Sequence, residues 1–406
     1  MPVGLKENNK LLPINGLKLA ACSAGIYKKE RPDLALIRCA EGSSTAAVFT
    51  RNAFCAAPVL IAKQHLQKAA SSFLLINAGN ANAGLGEAGY AAAMATCQAL
   101  ARISGCGPET VLPFSTGVIG EPLPVDRINQ ALPGLLDTLS GDGWLQVNRA
   151  ILTTDTVTKG ISRQINIGDQ TITITGIAKG SGMIRPDMAT MLAFIGTDAP
   201  VSKDIADQIL LRAVDQSFNR ISVDGDTSTN DACVLIATGK TNIPKINTLD
   251  SAAAVKFAEA LTEVCIYLAQ AIVRDGEGAT KFVTLDIHGG RDKQECLKVA
   301  TAIAHSPLIK TALFASDPNW GRILAAIGRS GLEHFDVNRV TIFADDVCIV
   351  RNGGRASAYT EAQGKTVFSR EEITLSVDLN RGSTGLQFWT CDFSYDYVRI
   401  NAEYRS

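Results

Sequence analysis

The chain has 406 residues, with 39 Lys+Arg against 40 Asp+Glu and a formal net charge of −1. That balance, with no basic or acidic block, argues against nucleic acid or a charged membrane surface as partner and leaves a small molecule or another protein. The chain is 46% hydrophobic and longer than one core usually holds, so two or three lobes are expected, and no run of about 18 apolar residues marks a membrane span.

Residue types narrow the chemistry further. The four histidines, His65, His288, His305 and His334, never stand at metal-ligand spacing, and H-E-x-x-H is absent. No metal is therefore expected. The ten cysteines are scattered singly without a C-x-x-C, which reads as reduced, mostly buried thiols in a cytoplasmic protein. The apolar stretch near Leu19–Cys22 is too short for the core of an export signal.

In chain order, strands are expected at Leu34–Cys39 and Thr45–Thr50, and a helix over Pro58–Lys68. A short apolar run, Phe73–Ile76, should stop in an irregular Asn/Gly loop, Asn77–Gly84. An alanine-rich helix follows near Glu87–Ser104, then a strand ending at Thr116-Gly117 and a helix over Pro124–Leu139. Ile161–Ile167 and Thr171–Ile177 alternate apolar and polar residues around Gly168-Asp-Gln, the pattern of a hairpin. Ser202 should cap a helix reaching about Phe218, and Asp250 should start another to about Val273. Further on, strands fit Lys281–His288, Val340–Val350, Ile373–Leu379 and Leu386 to Tyr404, with helices near Asp292–His305 and Trp320–Ser330. This mixed order favours an α+β layered fold over a regular doubly wound one.

Neither a P-loop nor a G-x-S-x-G elbow is present. Asp224-Gly-Asp-Thr-Ser-Thr-Asn-Asp231 has the look of a calcium loop but lacks glycine at its sixth position and Glu at its twelfth. A hydrogen-bonded polar turn lining a site is the better reading. Four stretches put glycine or hydroxyl and charged residues just past an apolar run: Ser115-Thr-Gly117, Thr153-Thr-Asp-Thr156, Lys179-Gly-Ser-Gly182 and Arg274-Asp-Gly-Glu-Gly278. Converging strand ends of this kind build polar pockets. The third leads through Arg185-Pro-Asp187 to Ala189-Thr190 and an apolar run. Thr190 is either a β-branched residue opening a core strand or a hydroxyl placed to act as a nucleophile.

The ordered set Pro13-Ile-Asn-Gly-Leu-Lys-Leu-Ala, Val48-Phe-Thr-Arg-Asn, Asn77-Ala-Gly-Asn-Ala-Asn-Ala, Ser115-Thr-Gly-Val-Ile-Gly, Thr153-Thr-Asp-Thr, Lys179-Gly-Ser-Gly-Met-Ile, Met188-Ala-Thr-Met-Leu, Ser222-Val-Asp-Gly-Asp-Thr-Ser-Thr-Asn-Asp and Asp317-Pro-Asn-Trp-Gly-Arg resembles the ornithine acetyltransferase (glutamate N-acetyltransferase) family of arginine biosynthesis. The resemblance covers nearly the whole chain. It implies an α/β sandwich of mixed sheets covered by helices, of the ornithine acetyltransferase and DmpA type. It implies self-cleavage between Ala189 and Thr190 into an α chain, 1–189, and a β chain, 190–406, interleaved in one unit and paired two and two. Thr190 would be the nucleophile that carries acetyl from N2-acetylornithine to glutamate, with Thr116 and Gly117 as the oxyanion hole. Substrate would meet Thr153, Lys179, Thr190, Glu277, Asn401 and the terminal Ser406, where many relatives end in Thr. No cofactor is implied; acetyl-CoA enters only as a donor in members that also acetylate glutamate directly. Two other readings stay open: a related self-processing aminopeptidase or amidase that releases the acyl group to water, and a binding protein without catalysis. The intact Thr190, Thr116 and Gly117 speak against the second.

Overall fold

The computed structural model describes residues 2–27, 31–185 and 191–403. Two sheets stack face to face at its centre. The first runs in the order Leu17–Cys22, Leu34–Cys39, Phe73–Asn80, Val111–Val118. The second runs Ser44–Phe49, Ala232–Ala237, Leu192–Thr197, Gln170–Lys179, Lys159–Ile167. Successive side chains of a strand point to opposite faces, and here both faces are covered. Leu19, Ile37, Leu74, Ile76 and Phe114 of the first sheet meet Ile177, Phe194 and Val234 of the second. Phe114 and Phe194 sit edge to face, with centroids 5.1 Å apart.

The alternate residues Leu34, Leu36, Phe73 and Leu75 face outward and pack with Leu100, Ile128 and Leu132 of helices Gly86–Ser104 and Val125–Asp137. On the far side, Ile172, Ile174, Ile195 and Leu235 pack against helices Lys203–Gln216 and Ala252–Arg274. Double burial is why strands such as Leu192–Thr197 read as continuous apolar runs rather than as alternation. The expected layered α+β class is what the chain adopts.

A third, seven-stranded sheet has its own core and the helices Lys293–Ala304, Pro307–Phe314, Trp320–Gly328 and Glu361–Phe368. It joins the sandwich where Ile221–Ser222 pairs with Thr384–Cys391 and where Arg274 holds Glu372 at 2.8 Å.

Several expectations need correction. The strand at Phe73 continues through Asn80, because it pairs in parallel with Val111–Val118 until the register breaks at Gly79 and Asn80. Val340–Val350 is a hairpin, Thr341–Ala344 with Val347–Arg351, turned by Asp345 at φ +48°. Ser251, not Asp250, caps the long helix, its Oγ accepting the Ala254 N–H at 3.2 Å. Ser202 holds the cap position without a side-chain cap bond. The C-terminal strand stops at Cys391 and helix Tyr395–Ala402 follows. Asp392 ends the strand: its carboxylate accepts the N–H groups of Thr280 and Lys281, both at 2.8 Å, and the Thr280 hydroxyl at 2.6 Å. Tyr397 then stacks on Phe393 one turn back, with centroids 4.6 Å apart.

Candidate active site

The strands Val111–Val118 and Gln170–Lys179 end, and Leu192–Thr197 and Ala232–Ala237 begin, at one end of the sandwich. A cavity of about 300 Å³ opens there, lined by Thr116, Gly117, Thr153, Lys179, Glu277 and Asn401. The structure therefore brings together every proposed site residue that it describes. Ala189, Thr190 and Ser406 lie outside the described residues, which resume at Met191, whose carbonyl accepts the Ala232 N–H at 2.9 Å. A larger cavity of about 510 Å³ at the opposite end of the first sheet, with Arg38, Ser43 and Ser71 in its wall, holds none of them.

Thr116 and Gly117 owe their places to the neighbouring strand. Gly117 has φ +134°, and a Cβ there would stand 2.3 Å from the Gly79 carbonyl carbon. Only glycine allows that approach of two backbones. Lys179 Nζ donates to Thr116 Oγ1 at 2.8 Å. An ammonium has no acceptor, so the hydroxyl oxygen receives this bond and its own proton stays available to a second acceptor.

Beneath Lys179 lies a buried ionic cluster. Lys159 Nζ bridges Asp155 and Asp275 at 2.6 Å each, with side chains at most 1% exposed. Asp155 also accepts the N–H groups of Gly180 at 2.7 Å and Thr153 at 3.0 Å, while Asp275 accepts the N–H of Thr156 at 3.0 Å and its hydroxyl. Burial alone would raise the Asp155 pKa, but Lys159, Lys179 and the Gly180 N–H hold it well below the carboxylate range. Burial would lower Lys159, yet its two carboxylates win and raise it. For Lys179 burial wins over Asp155 and Asp231, so its pKa is lowered, with the Lys159 charge adding to the effect.

The cavity also has an acidic lining residue. Glu277 is buried, its Oε2 accepts the Asn401 amide at 2.9 Å, and its N–H bonds to the Ser181 carbonyl at 2.9 Å. Burial raises its pKa against the bonds from Thr154 and Asn401.

The segment 224–231 is a polar turn lining the site, as its sequence suggests. Ser228, Thr229 and Asn230 face the cavity. Asp224 accepts the Met183 and Ile184 N–H groups at 2.6 and 2.9 Å, and Asn230 holds the carbonyls of Ala81 and Ser115 at 2.6 and 3.0 Å. Among the described residues no cluster of His, Cys, Asp and Glu could hold a metal. Lys159 and the pairing of Asp155 with Asp275 were not visible in the sequence. Both carboxylates stand in stretches it singles out, but Lys159 looks like an ordinary strand residue.

The ArgJ family model matches residues 18–406. The chain is 55% identical over 406 residues, all of both proteins, to the arginine biosynthesis bifunctional protein ArgJ of Pseudomonas fluorescens. It is 52% identical to the protein of the same name from Psychrobacter arcticus, over 98% of this chain and 97% of that one. Among solved structures, the arginine biosynthesis bifunctional protein ArgJ of Bacillus halodurans aligns at 36% identity and a TM-score of 0.50, covering 52% of this chain and 98% of that one. With whole-length matches at this identity, the chain belongs to the ArgJ family.

Proposed function

We propose that this chain is an acyltransferase of arginine biosynthesis that moves acetyl from N2-acetylornithine to glutamate through an acetyl-Thr190 intermediate, and that it also accepts acetyl-CoA as donor. Relatives matched from end to end are named bifunctional proteins of arginine biosynthesis. The observation that carries the reading is the convergence of Thr116, Gly117, Lys179 and Glu277 with Asn401, drawn from distant parts of the chain, on one cavity of amino-acid size.

The active form arises by cleavage. The Thr190 hydroxyl attacks the Ala189 carbonyl, the peptide becomes an ester, and water opens it into chains 1–189 and 190–406. Both flanks of this bond are anchored independently of it. Upstream, Asp224 grips the N–H groups of Met183 and Ile184, and the Arg185 carbonyl accepts the Thr227 hydroxyl at 3.0 Å. Downstream, Met191 is tied into the sheet through Ala232.

The new α-amine has a reference pKa of roughly 7.7 to 8.0, so near neutral pH it can take the Thr190 hydroxyl proton. Attack on the acetyl carbonyl gives a tetrahedral oxyanion. The Thr116 hydroxyl, polarised by Lys179, and the Gly117 N–H are the donors for it. Ornithine leaves with the proton, and the glutamate amine attacks the ester in turn. Lys179 also offers a cation to the substrate α-carboxylate, and Thr153 lines the same cavity. Ser406 supplies a further hydroxyl to the substrate. No cofactor takes part. No helix among the described residues is long and apolar enough to cross a membrane. As the family resemblance implies, the reading also makes the enzyme a cytoplasmic assembly of two α and two β chains.

The test is one assay with glutamate as acceptor and acetylornithine or acetyl-CoA as donor. Product from both is expected; acetate alone would make the protein a hydrolase. Within that assay Thr116→Val keeps the shape and removes the hydroxyl donor. Its kcat should fall about 100- to 1000-fold, and an unchanged kcat would remove Thr116 from the oxyanion hole.

A further inference from the structure

The two half-reactions make opposite demands on one cavity. At about 300 Å³ it holds one amino-acid substrate at a time, so ornithine and glutamate take turns in it. Both carry an α-carboxylate, but one ends in an ammonium and the other in a carboxylate. Among the described lining residues, the charged groups are Lys179 and Glu277. Lys179 is bonded to Thr116 at the reacting end. The distal group of either substrate is left to meet Glu277.

The Glu277 carboxyl lies against Gly182, in the space a side chain there would take: a Cβ would come within 2.4 Å of the carboxyl carbon. Asn401 fixes Oε2 from helix Tyr395–Ala402. An ionised carboxylate held there suits the ammonium of ornithine and repels the side-chain carboxylate of glutamate. A protonated carboxyl is a hydrogen-bond donor and suits glutamate.

We propose that Glu277 serves both half-reactions by changing protonation state: as carboxylate it pairs with the ornithine ammonium, and as carboxylic acid it donates to the glutamate side chain. This rests on the acetyl-transfer reading above. One proton enters from solvent as glutamate binds and returns to solvent as N-acetylglutamate leaves, so the cycle balances. The surroundings keep both states within reach. Burial favours the acid, and so do the charges of Asp224 and Asp155, while Thr154 and Asn401 bond to the carboxylate. Lys179, whose cation Glu277 stabilises, also favours the carboxylate. From helix Tyr395–Ala402 the titratable neighbour is Tyr397, whose hydroxyl burial holds neutral, with the Asp224 and Glu277 charges adding to the effect.

The measurement is kcat/KM for each substrate against pH, since in a double-displacement reaction each value reports its own half. For the wild type, relative to the common rise as the α-amine loses its proton, kcat/KM for glutamate should fall as pH rises through the Glu277 titration, while that for acetylornithine rises over the same range. Titration of the catalytic α-amine would move both in the same direction and is thereby separated. Glu277→Gln is a permanently neutral donor and acceptor. It should lower kcat/KM for acetylornithine about 10- to 100-fold, the loss of a charged hydrogen-bond partner, leave that for glutamate within about threefold, and abolish the opposed slopes. Parallel slopes in the wild type, or equal losses for both substrates in the variant, would overturn the proposal while leaving acetyl transfer intact. Absence of any transfer from acetylornithine in the wild type would instead overturn the activity itself. The wild-type profile needs no variant to fold.

Discussion

Thr190→Ala should accumulate as a single uncut chain and transfer no acetyl group. On the proposed mechanism, removing the hydroxyl removes both the group that opens the Ala189 peptide and the group that carries acetyl. Deleting a catalytic nucleophile typically costs on the order of 10⁶ in kcat, and here the base is lost as well, because without the cut no α-amine is released at residue 190. Thr190→Ser keeps the hydroxyl and should retain processing and part of the activity. Gel mobility and the donor assay read both effects. Acetyl transfer by an uncut Thr190→Ala protein would refute the nucleophile assignment.

The second large effect is on stability. Lys159→Met would leave Asp155 and Asp275 buried without the cation that bridges them. Breaking a buried ion pair by deleting one partner costs about 3–5 kcal/mol, which denaturant unfolding would register. The pH dependence follows from the shifts. The folded pKa of Asp155 is depressed, so its contribution is present above the unfolded carboxylate value of about 3.9 and is lost as pH falls towards the folded one. That of Lys159 is raised, so its contribution is present below about 10.4 and is lost as pH climbs through the folded value. Because burial alone would raise Asp155, the gap between wild type and variant should narrow as pH falls, beginning above the unfolded value of about 3.9, as protonation relieves the stranded carboxylate. A loss under about 1 kcal/mol, independent of pH, would mean that the cluster behaves as a surface pair.

The same cluster shows where the sequence is legible and where it is not. Local rules find the hairpin at Lys159–Ile167 and Gln170–Lys179 and the helix Ala57–Lys68, because period and caps are properties of neighbouring residues. They also mark each glycine and hydroxyl cluster that lines the cavity, since every one follows an apolar run. What they cannot carry is partnership across 116 positions, as between Lys159 and Asp275. The C-terminal helix is not legible locally, because Asp392 ends the preceding strand through bonds to Thr280 and Lys281, more than a hundred residues earlier. Gly117 is intermediate: its glycine is plain in the sequence, but the reason for it, the backbone of Gly79, appears only when the two strands pair in parallel. Roles for Thr116, Lys179 and Glu277 are implied by the family resemblance alone; what the fold adds is that all three line one cavity.

The most direct test is intact mass spectrometry of the purified protein before and after mixing with acetylornithine, and again after adding glutamate. The expected result is two chains meeting at Ala189 and Thr190, a single acetyl group gained on the residue 190–406 chain at Thr190, and its loss to glutamate. An uncut chain that turns over acetylornithine, or a cut chain that does so without ever carrying acetyl on Thr190, would contradict it.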